Sequence, residues 1–294
     1  MDMFLIYTIS GIVLGSVYAL TAVGYSIVYG VLELVNFAHG TIFMVGAYLM
    51  YILCTLLGVP LLPGAVIAVA LTGAVGILYE RIALRPLRLR NLPKFCFLIC
   101  TIGISIVLEN ILFVTMGSEA RLYPTLREGT YYSVLGVNLS FVQLLIMLVA
   151  VVLMAALVIF LKKSPLGMAM RATAQNRTAT ELMGISVDAI VSITFFLGSA
   201  LAAVSGIFYC MAFRSVSTGI GAQITQKTFA STVLGGIGEI GGAVIGGLIL
   251  GLTESYTSGY IGSEYRDVAA FIVLIAVLLI RPSGLLGKPA QKKV

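Results

Sequence analysis

Glu109-Asn110 and Glu254 stand inside long uncharged stretches of the chain. An ionisable group surrounded by apolar sequence is costly in hydrocarbon, and it usually faces a cavity, a pathway or a charged partner. Two roles fit these carboxylates. They line a polar cavity and meet a cationic group such as a substrate ammonium, or they hydrogen-bond neighbouring helices. Glu33, Asn36 and His39 lie between the first two apolar runs. An imidazole there could sense pH, and the competing role is a hydrogen-bonded structural histidine. His39 is the single histidine, and the four cysteines (Cys54, Cys96, Cys100, Cys210) sit in or beside apolar runs. One histidine with scattered cysteines does not make a zinc site, so the cysteines read as small apolar packing residues. Gly236-x-Gly238-x-x-Gly241 has the letters of a dinucleotide fingerprint but no strand before it and no βαβ unit around it. There is no Walker A sequence and no Ser/His/Asp set. The chain therefore holds no catalytic residues, metal or cofactor of its own, and it cannot hydrolyse ATP by P-loop chemistry.

The elements that position these residues follow from composition. Of 294 residues, 60% are hydrophobic and 10% are charged, where a soluble domain carries about 25% charged residues. Mean hydropathy is +1.08. Most of the surface must face lipid. Eight apolar segments, at 4–31, 41–58, 61–79, 95–116, 139–161, 187–212, 242–260 and 268–280, approach the length of about 20 residues that crosses about 30 Å of hydrocarbon. The last is short for a span. The expected fold is an all-α polytopic transmembrane helical bundle, a single membrane domain over residues 1–294. The N-terminus lacks the basic region of a secretory signal and reads as the start of the first span.

Net charge is +6, and the basic residues fall in loops rather than in a stripe with interleaved aromatics, so nucleic acid is not a partner. Arg81, Arg85, Arg88, Arg90 and Lys94 follow the third segment, and Lys162, Lys163, Arg171 and Arg177 follow the fifth. By the excess of Lys and Arg in cytoplasmic loops, both are cytoplasmic. So is the tail, with Arg281, Lys288, Lys292 and Lys293. The N-terminus is then outside. The 117–138 loop, where Glu119 and Glu128 balance two basic residues, is outside too. Glu109 and Glu254 fall in the outer half. The alternation closes only if residues 224–237, too few for a normal span, return the chain as a broken or re-entrant helix. Such backbone is tolerated where protein or a wet cavity covers it, and it marks transport pathways. Asn36-Phe37-Ala38-His39-Gly40 and Thr228-Phe229-Ala230-Ser231 form a slight internal echo.

The 32 glycines exceed the usual ~7% share and concentrate at 235–251. Gly11/Gly15, Gly242/Gly246 and Gly247/Gly251 have the spacing that lets helices approach closely in lipid. In the loop at 162–186, Ser164-Pro165 is a helix start, with a hydroxyl cap and proline at the first position. Residues 166–180 favour helix, and Gly184 can close it in the left-handed conformation. Basic and apolar residues on one helical loop suit docking against a cytoplasmic partner. The alternative is a helix lying on the anionic inner leaflet.

Gly15-Ser16-Val17-Tyr18-Ala19-Leu20, Gly24, Tyr29-Gly30-Val31, Asn36-Phe37-Ala38-His39-Gly40 and Gly46-Ala47-Tyr48 closely resemble the LivH-type branch of the branched-chain amino acid ABC permease family. Ser164-Pro165-Leu166-Gly167, Arg171-Ala172, Asn176 and Met183-Gly184-Ile185 resemble its ATPase-coupling region. Gly235-Gly236-Ile237-Gly238, Gly241-Gly242, Gly246 and the closing Arg281–Gly287 stretch also fit. The likeness covers nearly the whole chain. It implies an ABC importer permease fold in the bacterial inner membrane, a second homologous permease, two cytoplasmic ATPases that use ATP, and an extracytoplasmic substrate-binding protein. It also implies that Ser164–Gly184 rests on an ATPase. The acidic-Ala-Ala triplet common before the coupling glycine reads Thr178-Ala179-Thr180 here. The expected function is translocation of branched-chain amino acids. Urea or short amides, carried by related permeases, are the alternative substrates, and an ion-coupled secondary transporter is the rival class. Asn36, Phe37, His39, Glu109, Asn110, Gly235, Gly236, Gly238 and Glu254 are the pathway candidates.

Overall fold

In hydrocarbon every backbone N–H and C=O must find its partner within the protein, which leaves helices as the spanning form for such runs. The computed structural model describes residues 2–126, 129–134 and 137–287. Glu128, Lys288, Lys292 and Lys293, used above for orientation, lie outside the described residues. The long helices are α1 (Asp2–Leu32), α2 (His39–Tyr51, extended by a π-helical turn Ile52–Leu56) and α3 (Leu61–Tyr79). A second π turn, Glu80–Leu84, leads from α3 into α4 (Arg85–Leu89). Then come α5 (Lys94–Met116), α6 (Phe141–Lys163), the short α7 (Pro165–Gln175) and α8 (Arg177–Leu182), and α9 (Val187–Phe213). The chain closes with α10 (Ile220–Gly235), α11 (Ile240–Tyr260) and α12 (Arg266–Ile280).

Among the described residues seven helices are long and apolar enough to cross a membrane: Met3–Leu32, His39–Leu56, Leu61–Leu89, Lys94–Met116, Phe141–Lys163, Val187–Phe213 and Ile240–Tyr260. The eighth expected segment is α12, which at 15 residues is shorter than those. Sequence marks the turns locally. Ser140 accepts a hydrogen bond from the Gln143 N–H while the Gln143 side chain accepts from the Ser140 N–H, a reciprocal cap that starts α6.

The ends of the bundle differ. At one end lie α7, α8, the Arg85–Lys94 stretch and the end of α1, tied by Arg177 to the Val31 and Leu32 carbonyls and by Lys94 to Glu33. The 284–287 tail joins them. The N–H groups of Leu285 and Leu286 donate to the carbonyls of Leu234 and Gly235 at 2.9 Å. At the other end is the antiparallel hairpin β2 (Tyr131–Val134) and β3 (Val137–Ser140). There too β1 (Arg121–Leu122) pairs with β4 (Ser215–Val216), the strand that follows α9.

Glycine sets the centre. A Cβ on Gly11 or Gly15 would come within 2.9 Å of the Leu252 or Leu248 Cα, and one on Gly247 within 2.5 Å of the Ala19 Cα. So α1 and α11 touch backbone to backbone. Gly242 and Gly246 press instead against Gly235 and Ser231 of α10. The spaced glycines are packing residues, as their periodicity suggested.

The expected short segment at residues 224–237 is present, with its start and its interruption shifted to the ends of that stretch. Residues 220–235 are one continuous helix, 16 residues long, and at 1.5 Å per residue it covers only about 24 Å. The interruption comes at Gly236 and Gly238, whose φ values are +111° and +85°. Thr228–Ser231 therefore sits in mid-helix, unlike residues 36–40, and the proposed echo has no structural counterpart there. Residues 33–38 also re-enter the protein. His39 Nε2 lies 3.1 Å from the Thr21 carbonyl, 11 residues back from the end of α1, or about 16 Å deep. Two short helices, α2 and α10, thus pass each other inside the bundle, with the Phe37 and Phe229 rings 5.9 Å apart.

Candidate functional site

The predicted docking loop folds as two helices rather than one. The Ser164 hydroxyl accepts from the Gly167 N–H at 2.9 Å and starts α7. The Asn176 side chain accepts from the Ala179 N–H at 3.0 Å and starts α8. Asn176 itself is extended, which ends α7. Gly184 has φ +80°, and its N–H donates to the Glu181 carbonyl at 2.9 Å. Gly167 is wedged against the Phe160–Leu161 backbone, and Arg171 donates to the Leu161 carbonyl, so α7 is braced on α6. Ala172 is half-buried on α7. Arg177 donates to the Leu32 carbonyl at 2.7 Å. Burial, then the neighbouring Arg88, lowers its pKa from the usual guanidinium value. Arginine stays charged under such a shift. Outward from this framework stand Pro165, Leu166, Met168, Leu182 and Met183, the last 81% exposed. The surface is apolar and rimmed by Lys162, Lys163 and Arg171.

Beside these helices an ion-pair joint ties the end of α3 and α4 to the start of α9, the helix that follows α8. The Glu80 carboxylate is fully buried. It accepts from Arg88 at 3.1 Å and from the Ser192 hydroxyl at 2.8 Å. Arg88 also reaches Asp188 at 2.5 Å, and Arg85 pairs with the same carboxylate. Asp188 is in the first turn of α9, directly after Gly184 and the capping Ser186. Sequence reading counted Arg85 and Arg88 only as topology signals and missed Glu80 and Asp188. A carboxylate closing an apolar run, five and eight residues before arginines, was the available clue to Glu80.

Asn36, Phe37 and His39 hold the re-entrant turn. The Asn36 side-chain oxygen accepts from the Tyr79 hydroxyl at 2.8 Å and the Ala38 N–H at 3.1 Å. The Phe37 N–H reaches the Thr101 hydroxyl at 3.3 Å. His39 is buried edge-on to Tyr25. Gly235, Gly236 and Gly238 form the α10–α11 corner, with Gly236 against Gly287 and Gly238 beside Tyr29. Glu109 and Asn110 are placed elsewhere. Both lie on the outer side of α5, Glu109 half-buried and Asn110 exposed, with Asn110 bonding back to the Ile106 carbonyl at 2.8 Å. They do not join Glu254.

Glu254 has other company. It is fully buried on α11, one oxygen 2.5 Å from Lys227 Nζ of α10, the other accepting from the Tyr18 hydroxyl of α1 at 2.9 Å. Lys227 Nζ also bonds Asp267 at 2.8 Å, and Arg266 Nε approaches Glu254 to 3.4 Å. Two cations and two carboxylates thus form a neutral cluster that joins α10, α11 and α12. Pairing is what permits such charges in a low-dielectric interior. The cluster borders a cavity of about 430 Å³ towards the hairpin end, walled by α1, α6, α9, α11 and α12. Sequence reading found Glu254 but not Lys227, Arg266 or Asp267. Lys227 lies within the stretch read as a broken or re-entrant helix.

A multi-pass helical bundle with a braced, outward-facing pair of short helices at one end is the architecture of a membrane permease. Residues 7–278 match the family described as branched-chain amino acid transport system / permease component, and the chain belongs to that family. The chain is 42% identical to a high-affinity branched-chain amino acid transport system permease protein (BraD) of Pseudomonas aeruginosa, over 97% of this chain and 96% of that protein. It is 39% identical to the corresponding LivH protein of Escherichia coli K12, over 99% and 98%. A probable LivH permease of Methanocaldococcus jannaschii is 30% identical over 96% and 92%. No solved structure matches. The apolar helices and these transport relatives make the chain a multi-pass membrane protein.

Proposed function

We propose that this chain is one membrane-spanning subunit of an ATP-driven importer for branched-chain amino acids. Near full-length identity to permeases named for that substrate carries the reading. Their names lend nothing to urea or short amides. The α7–α8 end lies in the cytoplasm of a bacterial inner membrane, with the N-terminus outside and the C-terminus inside, as the basic loops at that end favour. A second homologous permease, two cytoplasmic ATPases and an extracytoplasmic binding protein complete the importer. ATP is held by the ATPases, and this chain needs no cofactor.

Exposed apolar residues and fixed basic groups on α7 and α8 suit a groove on an ATPase. Closure of the ATPases displaces these helices. The Glu80–Arg88–Asp188 joint passes the displacement between the end of α3 and α9, because its buried Glu80–Arg88 pair would strand a charge if pulled apart. The test is uptake and ATP hydrolysis in the reconstituted importer carrying Arg171→Glu or Gly184→Trp. Uptake is lost and hydrolysis no longer responds to loaded binding protein. Unchanged uptake and unchanged response would remove the docking assignment.

A further inference from the structure

We propose that the cavity beside Glu254 and Arg266 is a station for the substrate's zwitterionic head group. This rests on the importer reading above and adds to it a place and a recognition chemistry. The cavity, of about 430 Å³, has room for a small amino acid and is partly open. Its polar lining holds one carboxylate and one guanidinium, together with Ser10, Ser258 and Tyr209. Its apolar lining includes Val13, Leu14 and Val17 of α1.

Two observations favour a ligand over a purely structural cluster. The first is the Nε of Arg266, which is buried and makes no hydrogen bond among the described residues. Its nearest acceptor, a Glu254 oxygen, stands off at 3.4 Å, so this buried donor is under-satisfied and an incoming carboxylate would complete its hydrogen bonding. The second is charge balance. Lys227 and Arg266 offset Glu254 and Asp267, so the site is neutral before anything enters. A zwitterion keeps it neutral. A lone anion or cation leaves an uncompensated charge in low dielectric, which is strongly disfavoured. The substrate carboxylate therefore docks on Arg266 and its ammonium faces Glu254 and Tyr209. Glu254 is held for this by Tyr18 and Lys227 from the far side. The aliphatic side chain lies along α1.

The test uses the complete importer in proteoliposomes, with Cys54, Cys96, Cys100 and Cys210 replaced by alanine. Ser258→Cys and, separately, Gln143→Cys report on the cavity through labelling by a membrane-impermeant methanethiosulfonate. Leucine is expected to slow labelling several-fold. Leucine methyl ester, which lacks the anion, and 4-methylpentanoate, which lacks the cation, should not. Arg266→Gln should abolish the leucine effect and Arg266→Lys should restore part of it. Absence of labelling at both positions, labelling indifferent to leucine, or equal protection by all three compounds would overturn the site. ATP-driven leucine uptake by the unsubstituted importer is measured in parallel. If uptake is present and protection absent, only this site fails. If uptake itself is absent, the importer reading fails.

Discussion

Lys227 and Glu254 show how a charge survives in this protein's interior. Each is almost completely buried, and each has partners from other helices: Tyr18, Asp267 and Arg266. Removing Lys227 leaves Glu254 with only the Tyr18 hydroxyl and the more distant Arg266, and breaking a buried pair in this way costs up to about 3–5 kcal/mol. Lys227→Met is expected to lower the thermal midpoint of the detergent-solubilised complex. Adding Glu254→Leu should recover much of the loss, since an apolar pair of similar volume removes the stranded charge. If Lys227→Met alone leaves the midpoint unchanged, the cluster does not hold α10 to α11. Asn36 is a similar case with neutral groups. Asn36→Ala strands the Tyr79 hydroxyl and should cost about 1–3 kcal/mol in the same measurement. Glu254 was legible because a lone carboxylate in an apolar run is conspicuous. Its partners were not, since Lys227 is distant in sequence and Asp267 opens a helix, where an acidic residue needs no special explanation.

At the scale of elements, backbone contact decides which helices are central. The α1–α11 contact leaves no room for a side chain at Gly247, whereas a Cβ at Gly103 on α5 meets nothing within 4 Å. Gly247→Leu is therefore expected to abolish accumulation of folded protein in membranes, and Gly103→Leu to leave it intact. Equal yields of the two, by fluorescence-detected size exclusion, would contradict this packing. At the docking surface, Asn176→Ala removes the cap of α8 and should weaken that helix by about 1 kcal/mol. Coupled uptake should fall while assembly persists. Long helices were readable from apolar runs, and the Ser164-Pro165 start and Gly184 stop were readable from cap chemistry. The α7/α8 division was not, because residues 166–180 favour helix throughout and only Asn176 marks the break. The start of α10 was hidden too. What fixes it is β4 pairing with β1 some ninety residues earlier in the chain, a contact that no local pattern announces.

At the scale of the whole molecule, the two ends have different tasks. One carries the braced helices α7 and α8 and the Glu80–Arg88–Asp188 joint. The other carries the hairpin and the mouth of the Glu254 cavity. That division suits a protein that receives force on one side and substrate on the other. The most direct measurement is leucine accumulation by proteoliposomes containing this chain, the second permease, both ATPases and the binding protein. The expected result is accumulation that requires ATP, stops when the ATPases are made hydrolysis-deficient, and persists after ion gradients are collapsed. Gradient-driven accumulation by this chain alone, without the ATPases, would contradict the assignment of its energy source to separate polypeptides.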